Sequence, residues 1–157
     1  MTTAAAIKSL FQNLIFLSTI SSLCLAQILK MLVYLLTHKH KKPLEAIETA
    51  IWRTGGMPSS HSAVVCSLTT STGISEGISS NLFVFTLVFT MVVLRDAMGV
   101  RRAAGLQAKA LNTLGKQFAR KTGLEFHAVK EVQGHTPLEV VVGSLLGIII
   151  AVGFYLL

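Results

Sequence analysis

Formal charge is scarce in this sequence. Only 13% of its 157 residues are Asp, Glu, Lys or Arg, against roughly a quarter in a soluble globular domain. With 52% of the chain apolar, that deficit argues against a soluble protein. Cysteine is scarce too. Cys24 and Cys66 both sit in apolar segments, so neither a disulfide framework nor a thiolate metal site is expected, and buried small side chains are the simpler reading. Internal repeats and low-complexity segments are lacking, and the length suits a single domain, 1–157, better than two.

What the chain has is charge-free sequence. Four stretches, 9–29, 54–75, 77–94 and 140–157, lack formal charge for close to the about 20 residues that a bilayer-crossing helix needs. The first has too long an apolar part for a signal peptide, only Lys8 before it, and no clean small-residue cleavage site; it is expected to remain as a transmembrane helix. The expected fold is all-α: an integral membrane bundle of about four transmembrane helices, with one or two short amphipathic interfacial helices.

The net charge of +7 is unevenly distributed. If each stretch crosses once, twelve of the fourteen basic residues fall on one face, and only Lys8 and Lys30 lie elsewhere. The positive-inside rule makes that face cytoplasmic or its organellar equivalent, and many of those cations need do no more than attract anionic headgroups. Two linkers on that face carry helical patterning. In "PLEAIETAIW" (43–52) Leu44, Ile47 and Ile51 share one side and Trp52 suits headgroup depth. From Val100 to Phe118, apolar residues recur near the helical period with basic residues between them.

Two polar turns interrupt the apolar pattern. In "TGGMPSSHS" (54–62) the glycines permit unusual backbone angles and a serine after proline is a good N-cap. "GHTPLE" (134–139) repeats the design: Gly134 and His135 lead into Thr136 as cap, with Pro137 at the first helical position. Both helix starts lie on the basic face, where free N–H groups and macrodipoles suit phosphate. Arg101, Arg102 and Lys130 would complete an anion cage bearing His61 and His135. Two imidazoles beside a phosphate suggest phosphoryl transfer, one attacking phosphorus and the other protonating the leaving oxygen. Glu139, four residues after His135, could hold its far ring nitrogen.

"PSSH" resembles the P-S-G-H motif of the type 2 phosphatidic acid phosphatase superfamily, and "HTPLEVVVG" resembles its last motif, a histidine followed four residues on by an acid. "TGGMPSSHSA", "DAMGVRRAAGLQA" and "GHTPLEVVVG" together look like its divergent branch, the acid phosphatase/vanadium haloperoxidase-related membrane proteins, over about residues 26–147. The resemblance implies a phosphohistidine nucleophile at His135, a leaving-group acid at His61, an orienting carboxylate at Glu139, and phosphate contacts from Ser59 and Ser60. The superfamily's other cationic motifs are missing: Arg53 precedes Thr54 rather than proline, Ala46 stands where a lysine is usual, and Val129 where an arginine is usual, beside Lys130. Arg101, Arg102, Lys130 and Lys30 are the expected replacements.

Blander readings hold for other residues. His38 and His40, in a basic run, are expected to be solvated, and His127, ambiguous by pattern, is expected to be structural rather than catalytic. Asp96, at the end of an apolar stretch, is expected to pair with Arg95, Arg101 or Arg102; an interfacial charge is nearly as good an account. Gln27 and Lys30 could reach the site from the first helix, or Lys30 could snorkel. Gln107 and Asn112 either contact substrate or line the amphipathic helix, and Gly143 and Gly147 form a helix-packing face. Taken together, the expectation is a membrane phosphatase acting on a phosphomonoester lipid, of the phosphatidylglycerol phosphate, phosphatidic acid or isoprenyl phosphate class, without cofactor or metal ion. The expected partners are that phospholipid or isoprenoid phosphate and membrane lipid, not nucleic acid, with self-association left open. The alternatives are a catalytically degenerate lipid-phosphate binder and, on kinship alone, a vanadium-dependent oxidant chemistry.

Overall fold

The computed structural model describes residues 2–37, 56–131 and 134–157. Among them every regular element is a helix: α1 Thr3–Leu10, α2 Leu14–Thr37, α3 Ser60–Glu76, α4 Asn81–Met98, α5 Val100–Thr122 and α6 Pro137–Leu156. The first expected crossing, 9–29, is offset because Asn13 caps a new helix inside it. Its Oδ1 accepts from the N–H groups of Ile15 and Phe16 at 2.9 and 3.2 Å, so α1 stops short and α2 carries the apolar run on to Thr37. The expected helix at 43–52 and the basic run at 38–42, with His38 and His40, lie outside the described residues.

Among the described residues, three segments are long and apolar enough to cross a membrane: α2, α4 with its continuation α5 (Asn81–Thr122), and α6. The remaining expected crossing, 54–75, forms α3, which has 17 residues and spans about 26 Å. It is rich in serine and threonine, and α2, α4 and α6 all pack against it. An enclosed helix needs no lipid-compatible exterior, so absence of charge did not distinguish it from a lipid-facing span. The outer faces of the other helices expose Ile28, Leu32, Phe85, Val88, Val92, Val141, Leu145 and Ile149, an apolar jacket suited to acyl chains.

Small residues stepping by four set the packing. The buried residues of α2 are Ser18, Ser22, Ala26 and Lys30. On α3 the matching set is Ser59, Ala63, Ser67 and Ser71, each buried. The Ser18 and Ser71 hydroxyls meet at 2.6 Å, and Gly56 abuts the Lys30 side chain, so α2 and α3 run antiparallel. On the other side, α6 runs parallel to α3. A Cβ at Gly143 would collide with the Ser59 backbone, and one at Gly147 with the Ala63 carbonyl; farther along, the Tyr155 hydroxyl donates to the Ser71 carbonyl at 3.2 Å. Towards α4, Thr69 and Thr90 hydroxyls meet at 2.7 Å and Thr90 donates to the Val65 carbonyl at 3.0 Å. In a bilayer, where apolar burial between helices gives little drive, close backbones and interhelical hydroxyl bonds are what hold such a bundle.

The turn into α4 is short: Ser80 caps the helix by accepting from the Phe83 N–H at 3.1 Å. α5 follows α4 across Gly99 and ends at Gly123, whose left-handed φ of 73° closes the helix. The chain then returns, non-helical, along one flank of α5. Asn112 grips it there: Nδ2 donates to the Val129 carbonyl and to Glu131 Oε1, and Oδ1 accepts from the Val129 N–H, all at 2.8–2.9 Å.

Candidate functional site

The starts of α3 and α6 lie side by side at one end of the bundle. Ser59 caps α3, its hydroxyl accepting from the Ser62 N–H at 3.4 Å and the Ser62 hydroxyl at 3.0 Å. Its own N–H donates to the Glu139 carbonyl at 3.0 Å. That bond, with the close approach of Gly143 to the Ser59 backbone, locks the two helix starts together.

α6 begins with a capping box. Thr136 Oγ1 accepts from the Glu139 N–H at 3.4 Å, and Glu139 Oε2 accepts from the Thr136 N–H at 3.0 Å. The same Oε2 lies 3.0 Å from His135 Nδ1, the geometry in which an Nδ1–H donates to the carboxylate. One carboxylate therefore both caps the helix and orients the imidazole. His135 is only 6% exposed, and its backbone N–H donates to the Ala97 carbonyl at 3.2 Å, tying it to the end of α4. Gly134 is required here because a Cβ would strike the Arg102 backbone.

His61, by contrast, stands exposed in the first turn of α3. Its ring centroid lies 6.4 Å from that of His135, with the planes tilted by 60°. The pair is therefore not stacked, and one tetrahedral anion could touch both rings. Lys30, buried at 6% exposure, comes from α2 and acts electrostatically on Glu139 and His61. Asp96 holds the Arg101 guanidinium at 2.6 Å from Nε. His61 lies outside the candidate spans and titrates below the ordinary histidine range. Partial removal from water depresses it most, Arg101, His135 and Lys30 add to the depression, and Asp96 opposes it.

Of the residues singled out in the sequence, His61, His135, Glu139, Ser59, Ser60, Gly134, Lys30, Asp96 and Arg101 thus gather at one end, and Arg102 joins through its backbone. The Ser59 hydroxyl is engaged in capping, whereas Ser60 starts α3 beside His61. Lys130 and Gln107 are exposed on the returning segment and on α5, and among the described residues no hydrogen bond or ion pair ties either to the histidines. His127 is likewise exposed. Asn112 spends its amide on the returning segment. Two participants escaped sequence reasoning, the Ala97 carbonyl and the Glu139 carbonyl. Backbone acceptors leave no compositional signal.

Comparison with known proteins bears on the family. The family model described as "Divergent PAP2 family" matches residues 11–150. The chain is also 34% identical over 152 residues to the uncharacterized membrane protein YuiD of Bacillus subtilis (strain 168), covering 90% of this chain and 93% of that one. No solved structure matches. A family match running from just before α2 well into α6, together with a membrane-protein relative covered over 93% of its length, makes the chain a member of the divergent PAP2 family.

Proposed function

We propose that this protein is a membrane phosphatase that hydrolyses a phosphomonoester lipid through a phosphohistidine. The observation that carries the reading is the pair of imidazoles 6.4 Å apart, one of them backed by Glu139. With Nδ1–H turned to the carboxylate, Nε2 of His135 keeps its lone pair for phosphorus. Attack forms the N–P bond and breaks the P–O ester bond, and the departing alkoxide takes a proton from His61. Water then attacks the phosphohistidine, His61 accepts its proton, and inorganic phosphate leaves with His135 restored. Lys30, Arg101 and the N–H groups of the first turn of α3 offset charge on the equatorial oxygens.

The surroundings support a lipid substrate. A groove lined by Met91, Leu94, Arg95, Met98 and Gly99 opens on the last turns of α4, the helix end whose Ala97 carbonyl holds His135. It offers an apolar berth for an acyl or isoprenyl chain while the phosphate sits between the histidines. In this reading the site faces the cytoplasm or its organellar equivalent, supported by the sequence pattern that assigns twelve of the fourteen basic residues to one face. A lipid made in that leaflet, such as phosphatidylglycerol phosphate, suits that orientation.

The test is phosphate release from purified protein on a panel of lipid phosphates. Turnover that vanishes in His135→Ala supports the reading, and full activity in that variant removes the nucleophile. The second reading, a lipid-phosphate binder without turnover, draws on Val129 standing where the superfamily has an arginine; lipid-phosphate binding with no release by the unaltered protein would favour it. For orientation, a Lys130→Cys variant lacking Cys24 and Cys66 should react with a membrane-impermeant thiol reagent only from the cytoplasmic side, and labelling from outside reverses the assignment.

A further inference from the structure

α5 leaves a large apolar stripe uncovered. Val100, Leu111, Leu114 and Phe118 fall on one side of the helix at helical spacing and are 52–67% exposed. The one buried residue of α5 is Asn112, on a different flank, where the returning segment packs. There Phe126 fills the space over Gly115, which has no room for a Cβ. The neighbouring chain thus covers the flank and leaves the stripe.

The opposite side is basic. Arg102, Lys109, Lys116 and Arg120 recur at intervals of seven, seven and four residues, Arg101 and Lys121 add two more cations, and α5 contains no acid. Two acids follow on the returning segment, and Glu131 is engaged by Asn112. A helix with one apolar side, one cationic side and low overall hydrophobicity fits the boundary between headgroups and acyl chains. α5 is also in the right location for that boundary, since only Gly99 separates it from the apolar helix α4, and the candidate span Asn81–Thr122 runs through both.

We infer that α5 lies in the headgroup plane of the bilayer its own protein spans, with the Val100–Phe118 stripe in the acyl boundary and anionic phospholipid as the partner of its cations. The surrounding negative lipid neutralises a helix that has no anion of its own. The inference does not depend on phosphatase activity, and its test requires no turnover.

The test uses the full chain with Cys24→Ser and Cys66→Ser, one new cysteine carrying a nitroxide, in phosphatidylcholine vesicles with or without phosphatidylglycerol. At Leu114→Cys and Phe118→Cys, collisions with oxygen should exceed those with a water-soluble nickel chelate, and at Lys109→Cys and Lys116→Cys the order should reverse. For the Leu114→Cys label, replacing Arg120 and Lys121 with glutamine as well should lower the inserted population about fivefold per cation in vesicles containing phosphatidylglycerol, and leave it unchanged in phosphatidylcholine alone. Water-exposed labels at 114 and 118 in both lipids would overturn the inference. So would spin–spin broadening at 114 from a second copy, or an effect of the glutamines that ignores lipid charge.

Discussion

Replacing Glu139 with glutamine isolates the proposed orienting role. The change keeps the side-chain length and removes the charge on an oxygen that accepts two bonds, each 3.0 Å long, from Thr136 N–H and His135 Nδ1. A hydrogen bond to a charged group is worth about 1.5–3 kcal/mol. Losing the one to His135 should therefore lower kcat roughly 10- to 150-fold, and further if the amide NH₂ turns to Nδ1 and forces the proton onto Nε2. The control is Thr136→Ala. It removes the other half of the capping box, a long 3.4 Å bond, at a cost of about 1 kcal/mol of stability, while leaving the carboxylate beside the ring. Phosphate release and thermal unfolding, measured on both variants in one detergent, separate the two effects. Unchanged kcat in Glu139→Gln, or an equal kcat loss in Thr136→Ala, would refute the idea that the carboxylate acts through the imidazole.

Two further outcomes are expected. His61 titrates below the ordinary histidine value of about 6.5, so its acid form is lost as pH rises through that lowered value and kcat/KM should fall on the alkaline side; Arg101→Gln should move this limb up, Asp96→Asn should move it down, and a limb that persists in His61→Ala would belong to another group. Gly147→Ala pushes a methyl into the Ala63 carbonyl, whereas Gly153→Ala meets nothing within 4 Å; the first should cost about 1–3 kcal/mol and the second nothing, and equal unfolding temperatures for the two would show that the α3–α6 approach is not tight.

The two helix starts were legible because capping is local. Ser59 and Thr136 both act as caps, and Pro137 opens α6 as its fixed φ allows. The i, i+4 spacing of His135 and Glu139 likewise specifies a contact without tertiary information. Lys30 required more, because its arrival beside Gly56 depends on the antiparallel register of α2 on α3. That register had a sequence signal, small residues at every fourth position in α2 and along α3, but serines and alanines are less conspicuous than the Gly143–Gly147 pair that marks the packing face of α6. Lys130, read as a replacement for a missing cationic motif, and Gln107, read as a possible substrate contact, are exposed on the returning segment and on α5, and where those two segments sit depends on tertiary packing that no local pattern specifies. Asn112 has no local pattern at all; its partners are 17 and 19 residues away.

The character of α3 bears on how the protein is made. Its nine buried residues include six that carry hydroxyls, Ser60, Ser62, Ser67, Thr69, Ser71 and Thr72, a segment poorly suited to leave the translocon for bare lipid. α2 is synthesised before it and α4 soon after, but the glycine face that closes its remaining side belongs to α6, which follows only after α5 and the returning segment. Until Gly143 and Gly147 are synthesised, α2 and α4 are the packing neighbours available to cover the hydroxyls of α3. The joint that fixes the two imidazoles is thus closed by a helix made well after α3 itself, so the gap between the rings takes shape only once α6 has joined the bundle.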